Sequence, residues 1–293
     1  MMRLASILVP VDFSKRSVLA AEHGAALARR FDSRLTFVHV VPPSPYEYAA
    51  FDEGFYAAAS WPTLDEVRVE LTKRLEELEK EASIDRPAEK VLRRGDPALE
   101  IEAAAREAGA DMIVMPTHGA GPFRRFVLGS VTSKILHDTK LPVFTGTHVP
   151  ELAPVNREPY KRIACAVDLH EHSEQTLRWA WEFAQAFEED LIVIHAAPQI
   201  LLGPAYSEWF PPESQQEAIA KARDRVERML SAIGARAEIH VEAAEPIEYI
   251  AKTADEAYAD ILIVGRSIEG GVLGIREHAF SLIREAPCPV ISV

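Results

Sequence analysis

The residues best placed to do chemistry lie late in the first half of the chain. Met115-Pro-Thr-His-Gly119 is followed, after nine residues, by Gly129-Ser130. Ser130 is expected to open a helix over Val131–His137. A Gly-Ser pair at a helix start offers unpaired N–H groups, a hydroxyl and the positive end of the helix dipole, a combination suited to phosphate. Two other short apolar runs end in Pro10-Val11-Asp12 and in His39-Val40-Val41. In an open parallel sheet, ligands sit beyond the carboxyl ends of the strands. All three segments are expected there. Other constellations are weaker. Asp168, His170 and His172 are close enough in sequence to hold a metal, but a lone His-x-His in a loop is usually solvated. Ser130 and His137 are triad residue types, yet seven residues along one helix put them about 10 Å apart along its axis. Cys165 and Cys288 form no CxxC motif, and redox chemistry is not expected. No P-loop or SGGxDS-like loop occurs. His118 is the nearest base in sequence to the expected phosphates.

The elements that must position these residues are written twice. Ser6-Ile-Leu-Val-Pro-Val-Asp12 is echoed by Ile163-Ala-Cys-Ala-Val-Asp168, and Leu35–His39 by Leu191–His195. Asp12 to Asp168 and His39 to His195 share one offset of 156 residues. Helices are expected at Ser14–Phe31 and Ser173–Phe187. Helical stripes follow at Leu64, Val67, Leu71, Leu75, Leu78 and at Ile219, Ala222, Val226, Met229, Ile233. Val91-Leu92 and Ile239-His-Val241 read as short strands, and Pro97 and Pro246 suit the first turn of a helix. Asp111–Met115 and Asp260–Gly265 read as buried strands. Leu141–Phe144 and Cys288–Ile291 read as the last strands, now offset by 147. Each half is therefore β-α-β-α-β-α-β-α-β. The fold class is α/β: two doubly wound parallel five-stranded sheets, helices on both faces, arranged as a pseudo-dimer. Residues 1–146 make one domain, 147–160 a Pro-rich charged linker and 161–293 a second domain.

Composition bounds the function. Two domains suit 293 residues, and 48% hydrophobic with 26% charged residues is ordinary globular usage. No run of 18 apolar residues suggests a membrane span, and no signal peptide is evident. Two cysteines do not make a disulfide scaffold, which points to the cytoplasm. The net charge of −13 disfavours nucleic acid and anionic membranes as partners. That charge is uneven. Residues 1–150 carry 19 Lys+Arg against 21 Asp+Glu, and residues 151–293 carry 13 against 24, so an anionic ligand finds the first half less repulsive.

With these residues in view, the chain resembles a tandem universal stress protein over nearly its whole length. That family's nucleotide motif is Gly, two residues, Gly, nine residues, Gly, then Ser or Thr. Gly119-x9-Gly129-Ser130 fits its later part. The resemblance implies an adenine nucleotide in the first domain, ATP with accompanying Mg2+. Pro10, Val11 and Asp12 would lie at the adenine and ribose end, and Val40 or Val41 beside the base. Met115 and Gly119 would line the ribose and phosphate path, and Gly129, Ser130, Val131 and Thr132 would hold the phosphates. Pro116 replaces the family's first Gly; it has a fixed φ and no N–H, which removes one close backbone contact. In the second half Gly265 matches that first Gly, but Arg276-Glu277 stand where Gly129-Ser130 do. A carboxylate there opposes phosphate, and that nucleotide site reads as degenerate.

Three functions compete. The first is a stress-response regulatory protein that binds a nucleotide. The second is an interaction or apolar-ligand protein with a vestigial nucleotide site. The third, a slow ATPase, lacks an evident activated nucleophile. The loops 42–63 and 197–212 hold Tyr46, Tyr48, Phe51, Phe55, Tyr56, Trp61 and Tyr206, Trp209, Phe210. They read as core cover or as a partner surface, which leaves room for a homodimer. The final strands Val143–Thr145 and Val290–Ser292 are apolar edges. Their unpaired N–H and C=O groups invite antiparallel pairing of the two domains.

Overall fold

A computed structural model describes residues 2–43, 63–82, 84–117, 128–146, 160–170, 172–199, 212–266 and 275–293. The first half alternates β1 (Ser6–Pro10), α1 (Lys15–Phe31), β2 (Arg34–Val41), α2 (Leu64–Glu81), β3 (Glu89–Arg94), α3 (Pro97–Glu107), β4 (Met112–Met115), α4 (Ser130–Asp138) and β5 (Val143–Thr145). The second half repeats the order with β6 (Ile163–Ala166), α5 (Ser173–Phe187), β7 (Leu191–Ala197), α6 (Pro212–Ala232), β8 (Ala237–Ala243), α7 (Pro246–Glu256), β9 (Ile261–Val264), α8 (Ile275–Glu285) and β10 (Val290–Ser292). The first half runs β3-β2-β1-β4-β5 across the sheet, and the second has the same order, β8-β7-β6-β9-β10. The β1–β2, β1–β4, β2–β3 pairs and their counterparts β6–β7, β6–β9, β7–β8 are parallel. Every residue of β1, β4, β6 and β9 is buried, so both faces of these central strands are covered.

The chain divides into two compact units, one built on Leu4–Val143 and one on Asn156–Val293. Phe144–Gly146 belong with the second. Within that second unit Thr145 Oγ1 donates to the Val290 carbonyl at 3.3 Å. A Cβ on Gly146 would lie 2.5 Å from Pro289 Cβ, so only glycine fits there.

Local chemistry sets the helix limits. Ser14 caps α1 by accepting from Ser17 N–H, and Asp32 ends it in the left-handed region at φ 53°. Gly24 lets α1 lie close on β1, since a Cβ would come 2.8 Å from Val9 Cγ2. Thr63 and Glu66 form a capping box on α2. Its stripe buries Leu71, Leu75 and Leu78, with Leu64 and Val67 half-buried. On α6, Ala222 and Val226 are buried, and Leu230 joins them. Pro97 and Pro246 do open α3 and α7, capped by Asp96 and Glu245. The last helices of the two units start at different places relative to the repeat. α4 begins at Ser130 with Gly129 as its cap residue, whereas α8 begins at Ile275, so Arg276 and Glu277 already lie inside its first turn. Among the described residues no helix is long and apolar enough to cross a membrane.

Candidate functional site

One wall of the site grows from the end of β1. Val11 N–H donates to Val38 O at 2.9 Å, which carries the sheet pairing one residue beyond the strand. The chain then turns. Asp12 Oδ1 accepts from Ser14 N–H at 3.0 Å and from the Ser17 hydroxyl, and Ser17 Oγ accepts from Asp12 N–H at 2.9 Å. Between them Phe13 sits in the left-handed region at φ 62°, a strained place for a bulky residue. His39, near the end of β2, donates from Nδ1 to the Val11 carbonyl at 2.8 Å. Burial lowers its pKa, so the neutral ring makes this bond. The Phe13 ring lies 4.4 Å from His39, and the Arg74 guanidinium lies 4.0 Å over Phe13.

The opposite wall comes from β4 and α4. Met115 is buried, and the Pro116 carbonyl accepts from Thr132 Oγ1 at 3.0 Å. Gly129 N–H donates to Thr117 O at 2.8 Å, and Gly129 O accepts the first helical bond, from Ser133 N–H. No side chain caps α4. The N–H groups of Ser130, Val131 and Thr132 therefore lie in a first turn with no intrahelical acceptor. These three residues line a cavity of about 670 Å³ at the carboxyl ends of β1, β2 and β4.

Of the residues singled out in the sequence, Pro10, Val11, Asp12, Val40, Met115, Gly129, Ser130, Val131 and Thr132 line this cavity. Val41 does not; it ends β2 and its carbonyl accepts from Gly95 N–H at 3.1 Å. Gly119 and His118 lie outside the described residues, as do the named aromatic residues of both long loops. The cavity also takes in His39, from a segment expected there, and Ser17, Pro42, Pro97, Ile101 and Leu128, which sequence reasoning missed as lining. The signal for two of them was present: Pro97 opens a helix that follows a strand, and Ile101 lies one turn further on.

The second unit repeats the construction. Asp168 Oδ1 accepts from His170 N–H at 3.0 Å and from the Ser173 hydroxyl. Leu169 sits at φ 60°, and His195 Nδ1 meets the Val167 carbonyl at 2.8 Å. A cavity of about 560 Å³ opens beside them. Asp168 is thus held by its own turn, and His172 is the cap residue of α5. Gly265 also has a local reason. A Cβ there would meet Thr176 Oγ1 at 2.7 Å. In the first half the matching pair is Pro116 and Ala20, so a side chain added on the strand is balanced by one lost from the helix. Cys165 and Cys288 are buried free thiols, raised by burial, Cys288 to about 12.

Comparison with known proteins decides the family. The model of the universal stress protein family matches residues 4–145 and again 159–293. The chain belongs to the universal stress protein family. It carries the family's domain in tandem. A universal stress protein of Methanocaldococcus jannaschii is 31% identical over 141 residues, covering 47% of this chain and 78% of the relative. One of Bacillus subtilis is 28% identical over 142 residues, covering 47% and 95%. Such relatives match about half of this universal stress protein. The crystal structure of a universal stress protein from Archaeoglobus fulgidus covers 99% of this chain and 96% of its own, with TM-score 0.69 and 21% identity, a likeness in fold.

Proposed function

We propose that this tandem universal stress protein is a cytoplasmic regulator that binds an adenine nucleotide in its first domain, residues 1–146. One observation carries the reading. The uncapped first turn of α4, with the Ser130 hydroxyl, meets the same cavity as Asp12 and the apolar ends of β1 and β2. Three N–H groups at a helix dipole suit phosphates, Asp12 suits ribose hydroxyls, and Val11, Val40 and Pro42 suit the face of a base. ATP is the nucleotide proposed. Mg2+ would travel with its phosphates, because that ion keeps several waters and needs few protein ligands. The second domain, residues 161–293, then serves a structural or regulatory role. Pairing of the domains through β5 and β10 is part of the proposal, resting on the apolar, buried character of Val143, Phe144, Val290 and Ile291.

The apolar-ligand reading also has a specific support. Pro116 offers no N–H, and the Gly129 N–H is already bonded to Thr117 O, which leaves the phosphates fewer backbone donors. Calorimetry of the full chain with ATP separates the two. One site per chain is expected. No binding favours the apolar-ligand reading, and two equivalent sites overturn the assignment to the first domain. Turnover is expected to stay below about 1 s⁻¹, under ordinary enzyme rates; hydrolysis above that, abolished by Ser130→Ala, would make the protein an ATPase.

A further inference from the structure

The first cavity holds few groups for a long anion. The first turn of α4 brings it three N–H groups and the Ser130 hydroxyl, and among the described residues no Lys or Arg lines it. Thr132 Oγ1 is spent on the Pro116 carbonyl, and Gly129 N–H on Thr117 O. That set suits one phosphate group. A polyphosphate carries more charge past the first turn and calls for a cation. Lys134 stands one turn beyond Ser130, on the same face of α4. Helical side chains lean toward the N-terminus, so the lysine stem runs back over a rise of about 6 Å toward Ser130. Its ammonium lies 3.4 Å from Asp96 Oδ1. Asp96 immediately precedes Pro97, which lines the same cavity as Ser130. The lysine therefore leaves α4 one turn from one lining residue and meets α3 beside another.

The fold does not require this ion pair. Asp96 caps α3 by accepting from Leu99 N–H at 3.0 Å, and that bond, ahead of Lys134, lowers its pKa. Both partners of the pair are open to solvent, so the ammonium exchanges one acceptor for another at little cost. The second unit supplies the comparison. Glu245 caps α7 by accepting from Glu248 N–H at 2.7 Å, and Ser281 stands where Lys134 does. The capped helix forms there without the lysine. The same unit has Glu277 at the place of Ser130, so the cation and the Ser130 hydroxyl are lost together.

We propose that Lys134 selects the polyphosphate form of the nucleotide. Its ammonium passes from Asp96 to the outer phosphates of a nucleoside triphosphate, and a monophosphate offers it nothing. The inference rests on the nucleotide reading of the first domain and names the residue that reads phosphate number. Its test is calorimetry of the full chain with ATP and with AMP at one Mg2+ concentration. The parent is expected to bind ATP more tightly than AMP. Lys134→Met is expected to weaken ATP about tenfold, the effect of one hydrogen bond to a charged group, and to change AMP by less than about twofold. Lys134→Arg keeps a cation and is expected to restore most of the ATP affinity. Asp96→Asn keeps a cap acceptor and releases the ammonium. It is expected to raise ATP affinity about threefold relative to AMP, a gain that the double variant with Lys134→Met loses. Thermal melts check that each variant folds. ATP weakened no more than AMP by Lys134→Met, or a gain in Asp96→Asn that survives loss of the lysine, overturns the proposal and leaves nucleotide binding standing. Failure of the parent to bind either nucleotide overturns the nucleotide reading and this inference with it.

Discussion

The cavities of the first and second units stand at the same place in the repeat, and what they share differs in kind from what separates them. Both have an aspartate turn (Asp12 with Ser17, Asp168 with Ser173), a left-handed residue (Phe13, Leu169) and a histidine bound to the carbonyl before that aspartate (His39, His195). These groups bond to one another and hold the end of one strand against the next. They report the fold, and an aspartate at a strand end is no sign of a ligand by itself. The differences fall on α4 and α8. Thr132 becomes Ala279, Lys134 becomes Ser281, and the matching position of Ser130 becomes Glu277. A helix start without a side-chain cap meets the first cavity, and the exposed Asp168 and Glu245 stand at the rim of the second.

The strongest challenge to this contrast is Ser130→Glu. A carboxylate at the positive end of α4 is expected to lower ATP affinity by more than about 100-fold, from repulsion of phosphate and competition for the N–H groups. Calorimetry reads it, and unchanged affinity would remove α4 from the site.

Acid should separate the units next. His23 is buried in α1, and burial lowers its pKa from 6.5 to about 4. The residue matching it in α5 is Trp179. A histidine depressed in the folded state stabilises fully above 6.5, and that contribution is lost as pH falls from 6.5 towards 4, because the unfolded chain binds the proton first. The loss is about 3 kcal/mol. His23→Gln is expected to flatten the melting curve of the first unit over that window. His39 and His195 are both lowered by burial and act with the same sign in both units. A variant whose acid sensitivity matches the parent would refute the role of His23.

Asp12→Ala and Asp168→Ala form a finer comparison. Each removes one local turn acceptor and is expected to cost about 1 kcal/mol of stability, measured by denaturant titration. Only Asp12→Ala is expected to weaken ATP as well; equal effects of both on ATP would erase the distinction between the cavities. The smallest expected effect is Lys134→Ser, which copies the second unit. Its ion pair to Asp96 is exposed, with both side chains over 40% accessible, so the stability change should stay below about 0.5 kcal/mol.

Much of this was legible in the chain itself. Continuous apolar runs such as Ile7–Val9 and Ile261–Val264, alternating with stripes such as Leu71, Leu75 and Leu78, require buried parallel strands and covering helices. The offset of 156 residues places Asp12 over Asp168 and His39 over His195 from residue order alone. The rule that ligands gather beyond strand carboxyl ends then brings Asp12, Val40, Met115 and Ser130 to one cavity. These conclusions rest on periodicity and connection handedness, which are properties of the order of residues.

Tertiary structure alone decided which polar groups were still open. Gly129 N–H finds Thr117 O, Thr132 Oγ1 finds the Pro116 carbonyl, His39 finds Val11, and Lys134 finds Asp96 across 38 residues of chain. Glu245, in the same cap position, finds no cation among the described residues. Hydrogen bonds and ion pairs act over a few ångströms, so whether they form depends on how a helix docks and where a strand stops. Residue type and spacing along the chain do not carry that information. The order of residues determined which strand ends come together; the docking of each helix decided which polar groups there stay open.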